Sequence, residues 1–204
     1  PHVLAGGTDL LVQLRAGLVE PGLIVDIKNI EQATAIQPDD GGFRVGAAVS
    51  GAALGEHDGV RALWPGVVEA AELIGSTQIQ GRASMGGNLC NASPAADTVP
   101  ALIAAAASCL VAGPDGQREV PVEDICTAPG QTNLSQGEFV VSIALPARPD
   151  RAGDAYLRFI PRTEMDIAVV GVGVSLSLNG DGSCATARVA VGAVAPTALL
   201  VPAA

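Results

Sequence analysis

Two glycine pairs limit what this chain can become. Gly6-Gly7 sits in Ala5-Gly6-Gly7-Thr8-Asp9, and Gly86-Gly87 sits in Ser84-Met85-Gly86-Gly87-Asn88. Each reads as a strand-to-helix junction with a polar residue just behind it. Consecutive glycines can take positive φ and turn their N–H groups toward one point. Concave N–H arrays of that kind bind anions, phosphates foremost. Taken singly, either pair reads first as a plain tight turn. Gly171-Val172-Gly173 lies in a strand and lacks the third glycine of a dinucleotide fingerprint, and there is no Walker A sequence.

A phosphate-binding reading must fit an acidic chain. The formal charge is −10 over 204 residues, and Lys28 is the only lysine. That balance excludes a nucleic-acid partner, which needs a basic face. Aromatics are 2% of the residues, too few for base stacking. With 49% apolar and 16% charged residues the chain folds rather than staying disordered. No apolar run spans a membrane; Thr98–Val111 is too short and is interrupted by Ser108. Cys90, Cys109, Cys126 and Cys184 have no metal-like spacing and read as reduced thiols of a cytoplasmic protein. Backbone amides, not lysines, are left to hold an anion.

Between the glycine pairs, apolar runs alternate in type. Val3–Ala5 reads as a strand end, followed by a helix capped by Thr8 or Asp9, with Leu10, Leu11 and Leu14 on one face and Gly17 as its stop. Leu23–Ile27 and Phe43–Val49 read as strands, and Ser50 as the cap of a helix reaching Glu56. Gly66–Ile74 and Thr98–Ser108 have helical spacing. Cys109–Ala112 and Arg118–Val122 flank a Gly113-Pro114-Asp115-Gly116 hairpin turn, and Glu138–Leu145 is a further strand. The polar stretch from Ala147 to Asp154 marks a boundary. Beyond it, Val170–Leu178 and Cys184–Val194 flank Asn179-Gly180-Asp181-Gly182, the signature of a long antiparallel hairpin. His2 and His57 read as solvent-facing, and Trp64 before Pro65 as packing at a helix junction. Ser76 and Thr77 have no general base nearby in sequence.

The two glycine segments, the stretch from Ile79 to Asp97, and a third segment combine in order. The third comprises Tyr156-Leu157-Arg158-Phe159 and then Arg162-Thr163-Glu164-Met165-Asp166-Ile167-Ala168-Val169-Val170-Gly171. Together they resemble the FAD-binding medium subunit of molybdenum hydroxylases, the group of carbon monoxide dehydrogenase and bacterial xanthine dehydrogenase. The resemblance is collinear over nearly the whole chain. It implies an α+β architecture: a two-subdomain FAD-binding domain of the vanillyl-alcohol-oxidase type over residues 1–148, then the beginning of an α+β C-terminal domain with an antiparallel sheet over 149–204. Relatives start earlier and continue further, so it also implies a missing N-terminal strand and helix and an incomplete C-terminal domain. One apolar face of the Val170–Val194 hairpin is then expected to lie uncovered and prone to associate.

Carried over by position, the resemblance gives FAD contacts at Val3, Leu4, Ala5, Gly6, Gly7, Thr8 and Asp9, and at Ser84, Met85, Gly86, Gly87 and Asn88. It adds Asp97 as an acceptor for the cofactor, Ile74 and Val140 as apolar neighbours, and Arg158 where relatives usually carry Lys. The Met165-Asp166-Ile167 turn matches a loop approaching the flavin ring. Without the resemblance, Asp97 reads equally as a helix N-cap, Ile74 and Val140 as core, and Arg158 as a partner for a carboxylate such as Asp154. Functionally it implies an electron-transferring subunit with no catalytic acid, base or metal ligand of its own. Molybdopterin and [2Fe–2S] clusters would sit on a large and a small partner subunit, and electrons would leave through FAD to NAD, quinone or oxygen. A stand-alone FAD-dependent oxidoreductase of the same fold and a non-catalytic scaffold are the other readings.

Overall fold

A computed structural model describes residues 1–163 and 165–202; Glu164 of the third segment, Ala203 and Ala204 lie outside the described residues. β1 (His2–Leu4) runs into the first glycine pair, α1 (Leu10–Arg15) follows, and β2 (Ile24–Asp26) returns parallel to β1. The leucine face of α1 does not enter a core. The helix holds no buried residue, Asp9 makes no side-chain cap, and Leu11, Val12, Leu18 and Leu23 are exposed. This short βαβ unit buries too little to fix its own apolar face.

Ile27 is buried, and α2 (Glu31–Thr34), β3 (Ile36–Asp39) and β4 (Gly42–Gly46) follow. The strand expected to reach Val49 ends at Gly46, which passes beneath α2: a Cβ there would lie 2.3 Å from the Ala33 carbonyl carbon. Ser50 caps α3 (Gly51–Gly55) through a hydrogen bond from the Ala53 N–H, as its sequence position suggests. His57 is not a solvent-facing bystander. Its Nδ1 accepts from the Val60 N–H at 3.1 Å, capping α4 (Asp58–Leu63), and its ring meets Phe43 edge-on. Pro65 opens α5 (Pro65–Glu72), where a missing N–H costs nothing. Trp64 is buried at that junction, donating to the Pro146 carbonyl, with the Arg148 guanidinium over its ring.

α6 (Thr77–Gln80), α7 (Met85–Cys90) and α8 (Thr98–Ala104) complete the helical layer. α8 stops before Ser108, which belongs to β5 (Ser108–Gly113); β6 (Gly116–Pro121) pairs back across the expected hairpin turn. β7 (Cys126–Ala128) and β8 (Gln131–Thr132) form a small ladder, and β9 (Phe139–Leu145) lies at the centre of a five-stranded antiparallel sheet ordered β3-β4-β9-β5-β6. Val45, Cys109, Ile143 and Leu145 from this sheet share one buried cluster with Val67, Leu89 and Leu102.

The second sheet is β10-β11-β12-β13, formed by β10 (Ala152–Phe159), β11 (Val170–Leu178), β12 (Cys184–Gly192) and β13 (Leu199–Leu200), all antiparallel. β10 starts inside the stretch expected to be a boundary. Its polar residue Asp154 is structural: it accepts from the Gly66 N–H and pairs with Arg148. Gly173 brings β11 against α8, because a Cβ there would lie 2.4 Å from the Pro100 carbonyl oxygen. The opposite face of this sheet is apolar, and Leu157, Phe159, Leu176, Leu178 and Leu199 are exposed on or beside it. Among the described residues, no helix is long and apolar enough to cross a membrane.

Candidate functional site

The two glycine segments face each other across a cleft of about 220 Å³. Val3 to Asp9 form one side; Ser84 and Gly86 to Asn88 form the other; Ile74 and Val140 contribute apolar wall. Gly6 fits where no other residue can, since a Cβ would stand 1.9 Å from the Arg82 carbonyl oxygen. The first loop is thus seated directly on the backbone leading into the second. Lys28 holds it from behind, donating to the Ala5 carbonyl at 2.9 Å while paired with Asp26.

The glycines work differently from their sequence reading. Only Gly7 has positive φ, at +82°. Gly86 and Gly87 lie within α7, and Gly86 is there for close approach: a Cβ would sit 2.5 Å from the Ala47 carbonyl oxygen. The Gly87 N–H is already used, donating to Ser84 Oγ in an N-cap. The available donors are elsewhere. The N–H groups of Gly6, Gly7, Thr8 and Asp9 have no acceptor among the described residues, and neither do those of Met85 and Gly86.

Asn88 adds a fixed polar group. Its Oδ1 accepts from the Thr98 N–H and hydroxyl at 3.2 and 2.6 Å, which orients the amide and leaves its NH₂ donors without a protein acceptor. Partial desolvation raises the pKa of the Asp9 carboxyl. Glu138 at the rim stays ionised, its pKa lowered to about 2 by the Arg118 guanidinium and the Ser135 N–H. Cys90, an exposed residue, also lines the cleft. All four cysteines are free.

Three of the residues carried over as FAD contacts lie outside this lining, as does the Met165-Asp166-Ile167 turn, whose Asp166 pairs with Arg162. Met85 points into the core. Asp97 does not cap α8; its carboxylate accepts from the Tyr156 hydroxyl at 2.9 Å and pairs with Arg158 at 3.0 Å. Arg158 therefore partners Asp97 and not Asp154, which Arg148 occupies. Burial raises the Asp97 pKa, opposed by the Tyr156 hydrogen bond and the Arg158 charge. The Tyr156 phenol is pushed up by burial and by the adjacent carboxylate. This trio ties β10 to the start of α8.

Sequence reasoning missed several lining residues. Gln13 bridges α1 to the residue after α7 through Asn91 Oδ1 at 3.3 Å. Its signal was available: it is the one polar side chain in Leu10-Leu11-Val12-Gln13-Leu14. Leu134, Glu138 and Phe139 reach the cleft only because β9 lies centrally in its sheet, which no local pattern reveals.

A cleft with unpaired amide donors, apolar walls and no nucleophile–base hydrogen bond among its described residues is suited to holding an anionic cofactor. It is not arranged for acid–base chemistry. The donors at Gly6 to Asp9 and the apolar contacts of Ile74 and Val140 fit a flavin dinucleotide.

Comparison with known proteins bears on this directly. Residues 1–148 match the family described as "FAD binding domain in molybdopterin dehydrogenase", and residues 155–204 match "CO dehydrogenase flavoprotein C-terminal domain". The xanthine dehydrogenase FAD-binding subunit of Escherichia coli O157:H7 is 33% identical over 197 residues, 96% of this chain and 67% of that protein. The carbon monoxide dehydrogenase medium chain of Hydrogenophaga pseudoflava is 31% identical over 97% of this chain and 68% of its own length. A solved carbon monoxide dehydrogenase structure from the same organism superposes with a TM-score of 0.93 at 31% identity, covering 98% of this chain and 69% of that one. Quinoline 2-oxidoreductase from Pseudomonas putida 86 superposes at 0.89 with 28% identity, covering 98% and 68%.

Proposed function

This chain belongs to the FAD-binding subunits of the molybdenum hydroxylase family, and from that premise we propose that it is the electron-transferring flavoprotein of a multi-subunit dehydrogenase. When bound, FAD would supply the redox chemistry, linking [2Fe–2S] clusters on a small partner subunit to NAD, quinone or oxygen as acceptor. A large molybdopterin subunit would hold the organic substrate, and the assembly would work in the cytoplasm. Residues 1–148 would form the FAD domain and 149–204 part of the flavoprotein C-terminal domain.

The residues divide the work. Gly6 to Asp9, with Gly86, present backbone N–H groups that would hold a pyrophosphate without lysines. Asn88 offers oriented amide donors, Asp9 a hydroxyl acceptor, and Ile74 and Val140 an apolar surface that excludes water. Asp97 and Arg158 would complete the set at the seam with the second sheet, held by Tyr156.

The observation carrying this reading is the set of unpaired amides on the loop seated by Gly6. The test is to purify the protein from its native source, extract the cofactor and identify whatever co-purifies. Stoichiometric FAD together with a molybdopterin subunit and an iron–sulfur subunit is the expected result. FAD at full occupancy with no partner at any salt concentration would favour a stand-alone oxidoreductase, and no FAD would favour a scaffold.

A further inference from the structure

Three buried side-chain polar atoms among the described residues have no hydrogen-bond partner: Arg44 Nη1, Asn133 Oδ1 and Ser142 Oγ. Buried polar atoms are satisfied in the great majority of cases, so each such atom calls for an explanation. Two of the three line one hollow, together with Gln32, Ala35, Gln37 and Leu110. It shares no lining residue with the cofactor cleft.

Strand register explains the hollow. Ser142 lies opposite Gly46 on β4 and Leu110 on β5, while Arg44 lies opposite Gln37 and Ala144. Directly paired residues share a face of an antiparallel sheet, so these residues face away from the core that holds Val45 and Ile143. Gly46, on the same face, is tight against the Ala33 backbone, so the hollow lies beside it among Gln32, Ala35, Arg44, Leu110 and Ser142. At about 110 Å³ the space equals roughly three or four water-sized groups of ~30 Å³ each.

Its chemistry is selective. Arg44 Nε is held by Asp39 at 2.8 Å and Nη2 reaches Glu119 at 3.1 Å, leaving Nη1 to donate. Two carboxylates around one guanidinium make the local charge negative, which disfavours an anion. Ser142 Oγ can donate and accept, and the Gln32 and Gln37 amides stand at the rim. Leu110 and Ala35 supply an apolar wall.

We propose that this hollow on the outer face of the five-stranded sheet binds a neutral primary carboxamide, its carbonyl oxygen accepting from Arg44 Nη1 and the Ser142 hydroxyl. The probe is acetamide, titrated into the ¹⁵N-labelled full chain while backbone amide shifts are followed, with acetate at matched ionic strength as the charged isostere. Saturable shifts confined to Gly46, Leu110, Ser142 and their neighbours are expected with acetamide. Ser142→Val, checked for an otherwise unchanged spectrum, should weaken binding about tenfold, the effect of losing one hydrogen bond. Ser142→Ala serves if the valine does not fit. Non-saturating shifts, equal binding of acetate, or unaltered affinity in a folded Ser142 variant would each overturn the proposal.

Discussion

Gly6 shows how one missing carbon can decide a site. Its position is fixed by the Arg82 carbonyl and not by its own dihedral angles, so Gly6→Ala forces the first loop off the second. Overpacking of this kind costs about 1–3 kcal/mol. A lowered melting temperature and weakened FAD binding in fluorescence titration are the expected readings, whereas Gly22→Ala, with open space around its Cβ and no positive φ to strain, should leave FAD binding unchanged. The Asp97 trio behaves differently, because its charges are mutually dependent. Arg158→Leu strands a largely buried carboxylate and should destabilise by about 3–5 kcal/mol. Tyr156→Phe removes a single hydrogen bond and should cost about 1 kcal/mol. Urea unfolding of both variants checks the ordering; equal losses would show that the ion pair is not the stronger tie.

Among the elements, β6 and the start of β9 are joined by Arg118 and Glu138 across the sheet edge. Glu138 has its pKa lowered from 4.5 to about 2, so its contribution to stability is complete above the ordinary value and is lost as pH falls toward 2. Melting temperature followed from pH 6 downward should therefore fall less steeply below about pH 4.5 in Glu138→Gln than in the parent. An identical acid slope in the two proteins would remove Glu138 from the acid response. Local chemistry made some elements readable: Ser50 before a helix, Pro65 at a first turn, the Asn179–Gly182 hairpin. Each of these is determined by residues a few positions apart. Where long-range packing decides, sequence reading failed. The leucines of α1 have helical spacing yet no layer to bury them, and Gly86-Gly87 forms the first turn of a helix because Ala47, far away in sequence, demands a close approach. Most of the cleft lining was legible because the motif residues themselves make it. Gln13 and Phe139 were not, since only the tertiary arrangement brings them there.

At the scale of the whole molecule, the second sheet is two-sided. Asp154, Tyr156 and Arg158 of β10 tie inward to α5 and α8, whereas Leu157 and Phe159 project outward on an apolar face. Contiguous exposed apolar surface of this kind drives association. Replacing both residues, Leu157→Lys with Phe159→Lys, should shift the isolated chain toward monomer in sedimentation velocity at equal concentration. An unchanged distribution would place self-association elsewhere. The cleft is asymmetric in another respect. One wall, from Ser84 to Asn88, is continuous with α8 and the core, while the other belongs to β1, α1 and β2, which bury little. Its two sides therefore have unequal lifetimes. Opening the inner wall requires unfolding the domain, but the outer wall can lift as a unit at small cost. A cofactor between such walls would leave more readily past β1, α1 and β2 than past α7, and the Lys28 bond to the Ala5 carbonyl is one tie that slows it.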